Sequence, residues 1–485
     1  MTYLERYIKE NGPTLSGKLI EMMVSEGKSV SKVAARKQLS RLKGDIFRVK
    51  GLFADGQFLF HHKEIFASEG YYEGLRDALK KSGKQYYIIL QALDFHSGQI
   101  KISQLPSYSI SPVQDLKGHI TYSTVINKLL NLNLIHQDEE FISISGVISN
   151  GSLNTNKSKG IELAKNFLLI QFNDWSRKIG LVAYNSSKFH STFGNYQFNF
   201  VSPSYIGSLP TINNSKIIPA FVIADILIGN TINEFQVEFF INKIKTLKFR
   251  KNVAHFIPFL IVDSIDTKAL NLLKSEGVVV GFVNELFGEK YKDLLNSLIN
   301  LVTNAGAILK KNPEAYLDLI LKLNKLVDGK TNNLRGDLFE LAVGYYHGRI
   351  CNSIDIGKLI NHKGLQREID VFGLLANKIF ISECKGYNHK VDKEEIDTWL
   401  GEKIPVIRKW ILDQPSISDK EIIFEFWSTG GYTTEAIELL EKRKSTTKKY
   451  VIEYFDLENM IAKSKEINSK KFTEILRDYY IKELN

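Results

Sequence analysis

The run Ile379-Phe380-Ile381-Ser382-Glu383-Cys384-Lys385 constrains this chain more than any other feature. Its first half is apolar enough for a buried strand, and its second half carries two opposite charges. On a strand, residues two apart share a face, so Glu383 and Lys385 point one way and Cys384 the other. Upstream lies a second apolar run, Ile369-Asp370-Val371-Phe372-Gly373, joined to the first through a short turn containing Asn377. The two runs make a hairpin. Asp370 precedes Glu383 by thirteen residues, which sets the two carboxylates side by side across that hairpin. Charges on such strands are costly unless they are paired or hold an ion.

Two neighbouring carboxylates suit a hard divalent ion that keeps several waters, Mg²⁺ with Mn²⁺ as its substitute. Such an ion lowers the pKa of a bound water and stabilises charge building on a phosphate. Lys385 is then placed to orient the attacking water. Glu340 falls in Leu334-Arg335-Gly336-Asp337-Leu338-Phe339-Glu340-Leu341-Ala342-Val343-Gly344, which reads as a helix. Gly336 and Gly344 lie one turn either side of it and let that helix come close enough to aim the carboxylate into the site. Gln366, Arg367, Tyr387, His389 and Lys390 flank the hairpin, with Arg367 and Lys390 the expected DNA contacts.

A helical Glu, an Asp before a hairpin and Glu-Xaa-Lys closing an apolar strand, in that order, resemble the PD-(D/E)XK nuclease superfamily, and more narrowly its restriction-endonuclease members of the Mrr type. The resemblance covers roughly residues 330 to 460, and Ile369 stands where the family name has proline. It implies a Mg²⁺-dependent endonuclease that hydrolyses phosphodiester bonds of double-stranded DNA. Glu340, Asp370, Glu383 and Lys385 would be its catalytic residues, and the three acids its metal ligands. It also implies prokaryotic restriction or anti-phage defence, with an ATPase or helicase partner for any ATP-driven step. Cutting both strands needs two sites, so a homodimer on DNA is expected. A DNA-binding scaffold with a docking-only nuclease domain, and a repair nuclease or ribonuclease using the same residues, are the alternatives.

The first 65 or so residues read as a winged helix. Leu15 to Val24 is a first helix, Ser29-Val30-Ser31 a helix start, and Leu39, Leu42 and Ile46 one face of the next helix. The other face carries Arg36, Lys37, Ser40, Arg41 and Lys43, suited to a major groove. Ala54-Asp55-Gly56 marks a hairpin between Phe47–Phe53 and Gln57–His61. The same element order also serves protein–protein modules. A weaker copy runs from about Leu75 to Ile144, and its turn, Gln137-Asp138-Glu139-Glu140, is acidic and better suited to packing than to phosphate contact.

Gly146 to Gly160, rich in Gly, Ser and Asn, reads as a linker. From Ile161 strands and helices alternate, the pattern of an α/β sheet. Setting Phe221–Leu227 over Ile379–Lys385 pairs Asp225 with Glu383 and Leu227 with Lys385. No Asp or Glu occurs between Trp175 and Ala224, so this stretch reads as a nuclease-like domain without a metal site. The expected units are winged helices at 1–70 and 71–148, a degenerate α/β nuclease-like domain at 161–288, a helical connector at 289–329 and the nuclease domain at 330–485.

Composition fits this plan. At 485 residues the chain exceeds one core, and its net charge of +10 suits a polyanionic partner. The longest apolar stretch, Ile217 to Gly229, is too short and too charged to span a bilayer, and no signal peptide is visible at Met1–Glu5. Two cysteines, Cys351 and Cys384, fit reduced thiols in a cytoplasmic protein.

Overall fold

The computed structural model describes residues 2–42, 44–151, 153–213, 216–327 and 332–481. Among these residues the strands form two three-stranded sheets, two five-stranded sheets and one two-stranded ribbon, in a multidomain α+β chain. The first unit holds helices Tyr3–Asn11, Ser16–Ser25 and Lys32–Ser40 around strands Thr14–Leu15, Ile46–Val49 and Leu59–His62, the last strand central. Its opening helix was not anticipated from sequence. It forms because Thr2 and Glu5 bond reciprocally in a capping box, satisfying two orphan amides. Ile46, expected on the basic helix with Leu39 and Leu42, instead begins a strand. Asp55 and Gly56 do take positive φ, but Val49 pairs with Leu59, so the connection is wider than a two-residue turn.

The second unit builds a sheet of the same strand order, with its first strand entering after two helices instead of one. Helices Glu69–Ser82, Lys84–Phe95 and Tyr122–Asn131 accompany strands Gln99–Lys101, Ile135–Gln137 and Phe141–Ile144, again with the third strand central.

The expected linker is corrected. A 24-residue helix, Thr155–Lys178, begins inside it, because the Asn154 side chain accepts the Lys157 amide at 2.8 Å and caps the first turn. Ser158, Lys159 and Gly160 are buried, so the middle domain starts at Thr155 and not at Ile161. Its sheet also contains a hairpin that sequence reading passed over, Lys188–Phe193 with Tyr196–Ser204.

The two large sheets share one topology. In the middle domain, Tyr196–Ser204 pairs antiparallel with Lys188–Phe193 and with Ala220–Leu227, which then runs parallel with Phe256–Val262 and that with Val279–Phe282. In the last domain, Leu365–Leu374 pairs antiparallel with Ser353–His362 and with Lys378–Lys385, followed in parallel by Glu421–Ser428 and Val451–Phe455. Each sheet follows a long helix, Thr155–Lys178 or Asn332–Ile350. Those helices and the connector helices Glu289–Thr303, Ala305–Lys311 and Pro313–Val327 fill one apolar layer, in which Ile161, Phe172, Ile299, Leu317, Leu338, Val371 and Trp427 are all buried. That shared layer fixes the two sheets relative to each other. No helix among the described residues is long and apolar enough to cross a membrane.

Candidate active site

Strand register brings the predicted residues together. Val371 pairs with Ser382, so Asp370 and Glu383, one position further along, stand opposite each other. The Cys384 amide donates to Asp370 Oδ2 at 2.7 Å and fixes that carboxylate against its neighbour strand. Both acids are buried, 9% and 5% exposed, yet both line a cleft of about 740 Å³. Lys385 lies 2.9 Å from Glu383 Oε1, on the same face as expected.

The helix Asn332–Ile350 carries Glu340 to the same cleft. Small residues permit the approach: a β-carbon at Gly386 would sit 2.8 Å from the Gly336 α-carbon, and one at Gly344 would sit 2.6 Å from Ile356. Gln366, Arg367, Tyr387 and His389 also line the cleft, and the Tyr387 and His389 rings stack at 4.5 Å. Lys390 is exposed and stands outside the lining. Arg36, Lys37, Ser40 and Arg41 are exposed on or at the end of the helix Lys32–Ser40, away from the cleft. Lys43 lies outside the described residues.

Three site residues were missed. Lys403 places its ammonium 2.7 Å from Glu383 Oε1, from a π-helical turn Trp399–Lys403. The visible signal was Pro405 inside an otherwise helical run, since proline breaks the regular hydrogen-bond ladder. Glu368, two residues before Asp370, also lines the cleft. Lys159 comes from the middle domain and lies 2.5 Å from both Glu340 Oε2 and Glu368 Oε1. Its signal was the helical spacing of Ile161, Ala164, Phe167 and Leu168, hidden by the polar stretch before it. Asp138, Glu139 and Glu140 of the acidic turn also line the cleft, and exposed Glu139 lies 3.2 Å from Arg367.

Electrostatics follow from this crowding. Burial and the Glu383 charge push the Asp370 carboxyl up to about 7. Burial acts the same way on Glu383, but Lys385 and Lys403 outweigh it and hold Glu383 at about 2. Burial alone would favour neutral Lys159; Glu340 and Glu368 outweigh it and keep the ammonium charged.

Asp370 and Glu383 fit a divalent ion. They are two converging carboxylates from adjacent strands, and burial together with the neighbour's charge pushes the Asp370 carboxyl up, a cost that a cation between them would relieve. Glu340 does not fit as a third ligand in this conformation, because its carboxylate is held by Lys159. Among the described residues no three His, Cys, Asp or Glu side chains stand close enough to share an ion.

The middle sheet has a corresponding constellation. Asp225 and Asn199 occupy the positions of Glu383 and Asp370, and the Ile226 amide donates to Asn199 Oδ1 at 2.9 Å, as the Cys384 amide does to Asp370. Lys243, on the helix that follows, lies 2.6 Å from Asp225 Oδ2, as Lys403 does from Glu383. Leu227 stands in the place of Lys385, and buried Lys165 comes from the preceding helix, as Glu340 does in the last domain. The turn Leu105–Tyr108 closes this constellation: Tyr108 donates to Asn199 Oδ1 at 3.1 Å, and Lys243 donates to the Ser107 carbonyl at 2.6 Å.

No protein-family model matches the chain, and no curated protein matches it. One solved structure, restriction endonuclease FokI bound to DNA, matches 56% of this chain and 60% of its own at 14% identity. The TM-score is 0.18, a superposition too loose to support a shared fold or activity.

Proposed function

We propose that this chain is a Mg²⁺-dependent DNA endonuclease whose active site is the cleft around Asp370, Glu383 and Lys385. The observation that carries the reading is the pairing of two buried carboxylates from adjacent strands at the wall of a large cleft, with two lysines on one of them. A Mg²⁺ ion held by Asp370 and Glu383 would supply an activated water and charge stabilisation at the phosphate. Lys385 positions the water's hydrogen bonds and offsets negative charge on the phosphate oxygens. Lys403 keeps Glu383 ionised and oriented. Arg367 and His389 present donors to the backbone of the bound strand.

The first unit is a winged helix that lays the exposed side of Lys32–Ser40 in a major groove, and the second uses the same fold to pack over the cleft. The middle domain is a decayed copy of the nuclease domain, with the Asn199 amide in place of Asp370, Lys165 in place of Glu340 and Leu227 in place of Lys385.

Cleavage of supercoiled plasmid by the full chain, with Mg²⁺, Ca²⁺ or EDTA and wild type beside Glu383→Ala, tests the proposal. Cutting is expected only for wild type with Mg²⁺ or Mn²⁺. Equal cutting in EDTA, or by Glu383→Ala, overturns it. Competition with branched DNA and with RNA of the same sequence decides the substrate, and preferential loss to either overturns the duplex assignment.

A further inference from the structure

We propose that Lys159 is a built-in cation of this site: it fills the Glu340–Glu368 half, so the cleft takes one divalent ion and needs the middle domain to do so. This rests on the nuclease reading above. Glu340 and Glu368 converge on one point from a helix and a strand beside Asp370, and without a cation there such a pair would draw a second divalent ion next to the first, as two-metal sites do at about 3.5–4 Å spacing. The Lys159 ammonium stands in that place instead, 2.5 Å from one oxygen of each glutamate. Glu340 Oε2 is buried and accepts no aligned hydrogen bond among the described residues, so the ammonium is what balances it.

The surroundings are shaped for this lysine. Strand pairing between Ser353–His362 and Leu365–Leu374 is interrupted between Ile356–Val371 and Lys358–Ile369, where Gly357 lies across from Asp370. Gly357 adopts a φ of +66°, and a β-carbon there would collide with the Lys159 side chain. Only glycine meets both demands. The lysine is only 8% exposed and is carried by a helix wedged between the two sheets, so it is a fixed part of the wall. Lys159 touches carboxylates and not the reacting phosphate; it is a positioning residue that sets how many metal ions the acids can hold.

Equilibrium Mn²⁺ titration of the full chain, read by electron paramagnetic resonance, tests this. Wild type is expected to bind one Mn²⁺ per chain with the signal of an isolated ion. Lys159→Gln is expected to bind two, with spin coupling between them, and Lys159→Arg to return to one. Circular dichroism and thermal melts report folding of each variant. In the wild-type background, Glu340→Gln should lower Mn²⁺ affinity by roughly 10–100-fold at most, the cost of losing an outer-shell partner, while Asp370→Asn abolishes binding. One ion in Lys159→Gln, two in wild type, or loss of binding in Glu340→Gln overturns the inference. No ion in wild type overturns the nuclease reading itself.

Discussion

Lys165 shows how the middle constellation differs from that of the last domain, and its replacement by methionine tests that difference. The residue is buried beside Asp225, Gln104 and His96, and burial drops its pKa from the ordinary 10.5 to about 8, against the pull of Glu162 and Asp225. Holding the ammonium charged at pH 7 therefore costs the folded chain about 3 kcal/mol. Methionine has similar length and no charge, so Lys165→Met removes this cost. It also leaves Gln104 Oε1, 3.3 Å away, without its donor, a loss of about 1 kcal/mol. The net expectation is a gain of about 2 kcal/mol at pH 7, read by urea unfolding of the full chain. The sign in pH follows from protons bound. Between about 8 and 10.5 the unfolded chain holds the Lys165 proton and the folded chain does not, so wild-type stability rises through that window. The variant's advantage is thus full below pH 8 and shrinks above it. A variant less stable than wild type at pH 7, or a gap unchanged at pH 9.5, refutes the reasoning.

The other predictions concern the two sites and the basic helix. Lys385→Ala should lower the cleavage rate by about 10²–10³ while plasmid binding, measured by gel shift, stays intact; an unchanged rate rules out its role on the phosphate. Asp225→Asn should leave cleavage nearly unchanged but destabilise the fold by about 3–5 kcal/mol, because buried Lys243 loses its counter-charge. A folded Asp225→Asn chain without cleavage would contradict the dead-site reading. Reversing Lys37 and Arg41 to Glu should flatten the salt dependence of DNA binding by a log–log slope of roughly one per lost contact, and an unaltered slope would point to a protein-docking role for this helix.

What the sequence disclosed tracks how locally each feature is encoded. The facing of Asp370 and Glu383 follows from strand alternation and a short turn, both readable from a dozen residues. The correspondence of Asp225 with Glu383 follows from the same strand pattern. Lys159 was out of reach because its role depends on a helix from one domain entering the acid cluster of another. Its first turn also lies in a stretch whose Gly, Ser and Asn content mimics a linker. Asn199 was invisible as the counterpart of Asp370 because it lies on a hairpin whose strands, Lys188–Phe193 and Tyr196–Ser204, carry many polar residues. The short strands Thr14–Leu15 and Gln99–Lys101 offer too few residues for any period to show.

Side-chain charge separates the two constellations and, on the proposed reading, explains why one sheet would hold a cation and the other would not. Around the cleft of the last domain, Glu340, Glu368, Asp370 and Glu383 face Lys159, Lys385 and Lys403, and burial pushes the Glu340 and Asp370 carboxyls up. Around the middle constellation, Asp225 faces Lys243 and Lys165, Glu162 also acts on Lys165, and Asn199 stands where Asp370 stands in the last domain. On the proposed reading a divalent ion would be drawn to the paired carboxylates of the first and would find only one at the second. The two amides that hold Asp370 and Asn199 are equivalent, so backbone geometry does not separate the sites; the side chains do. The helix Thr155–Lys178 contributes to both outcomes, sending Lys165 into its own sheet and Lys159 into the neighbour's. On the proposed reading Lys165 helps close one constellation to metal, while Lys159 offsets part of the acidic charge at the other. Deleting the middle domain should therefore do more than remove a docking surface: it would strip a buried cation from the acids that remain.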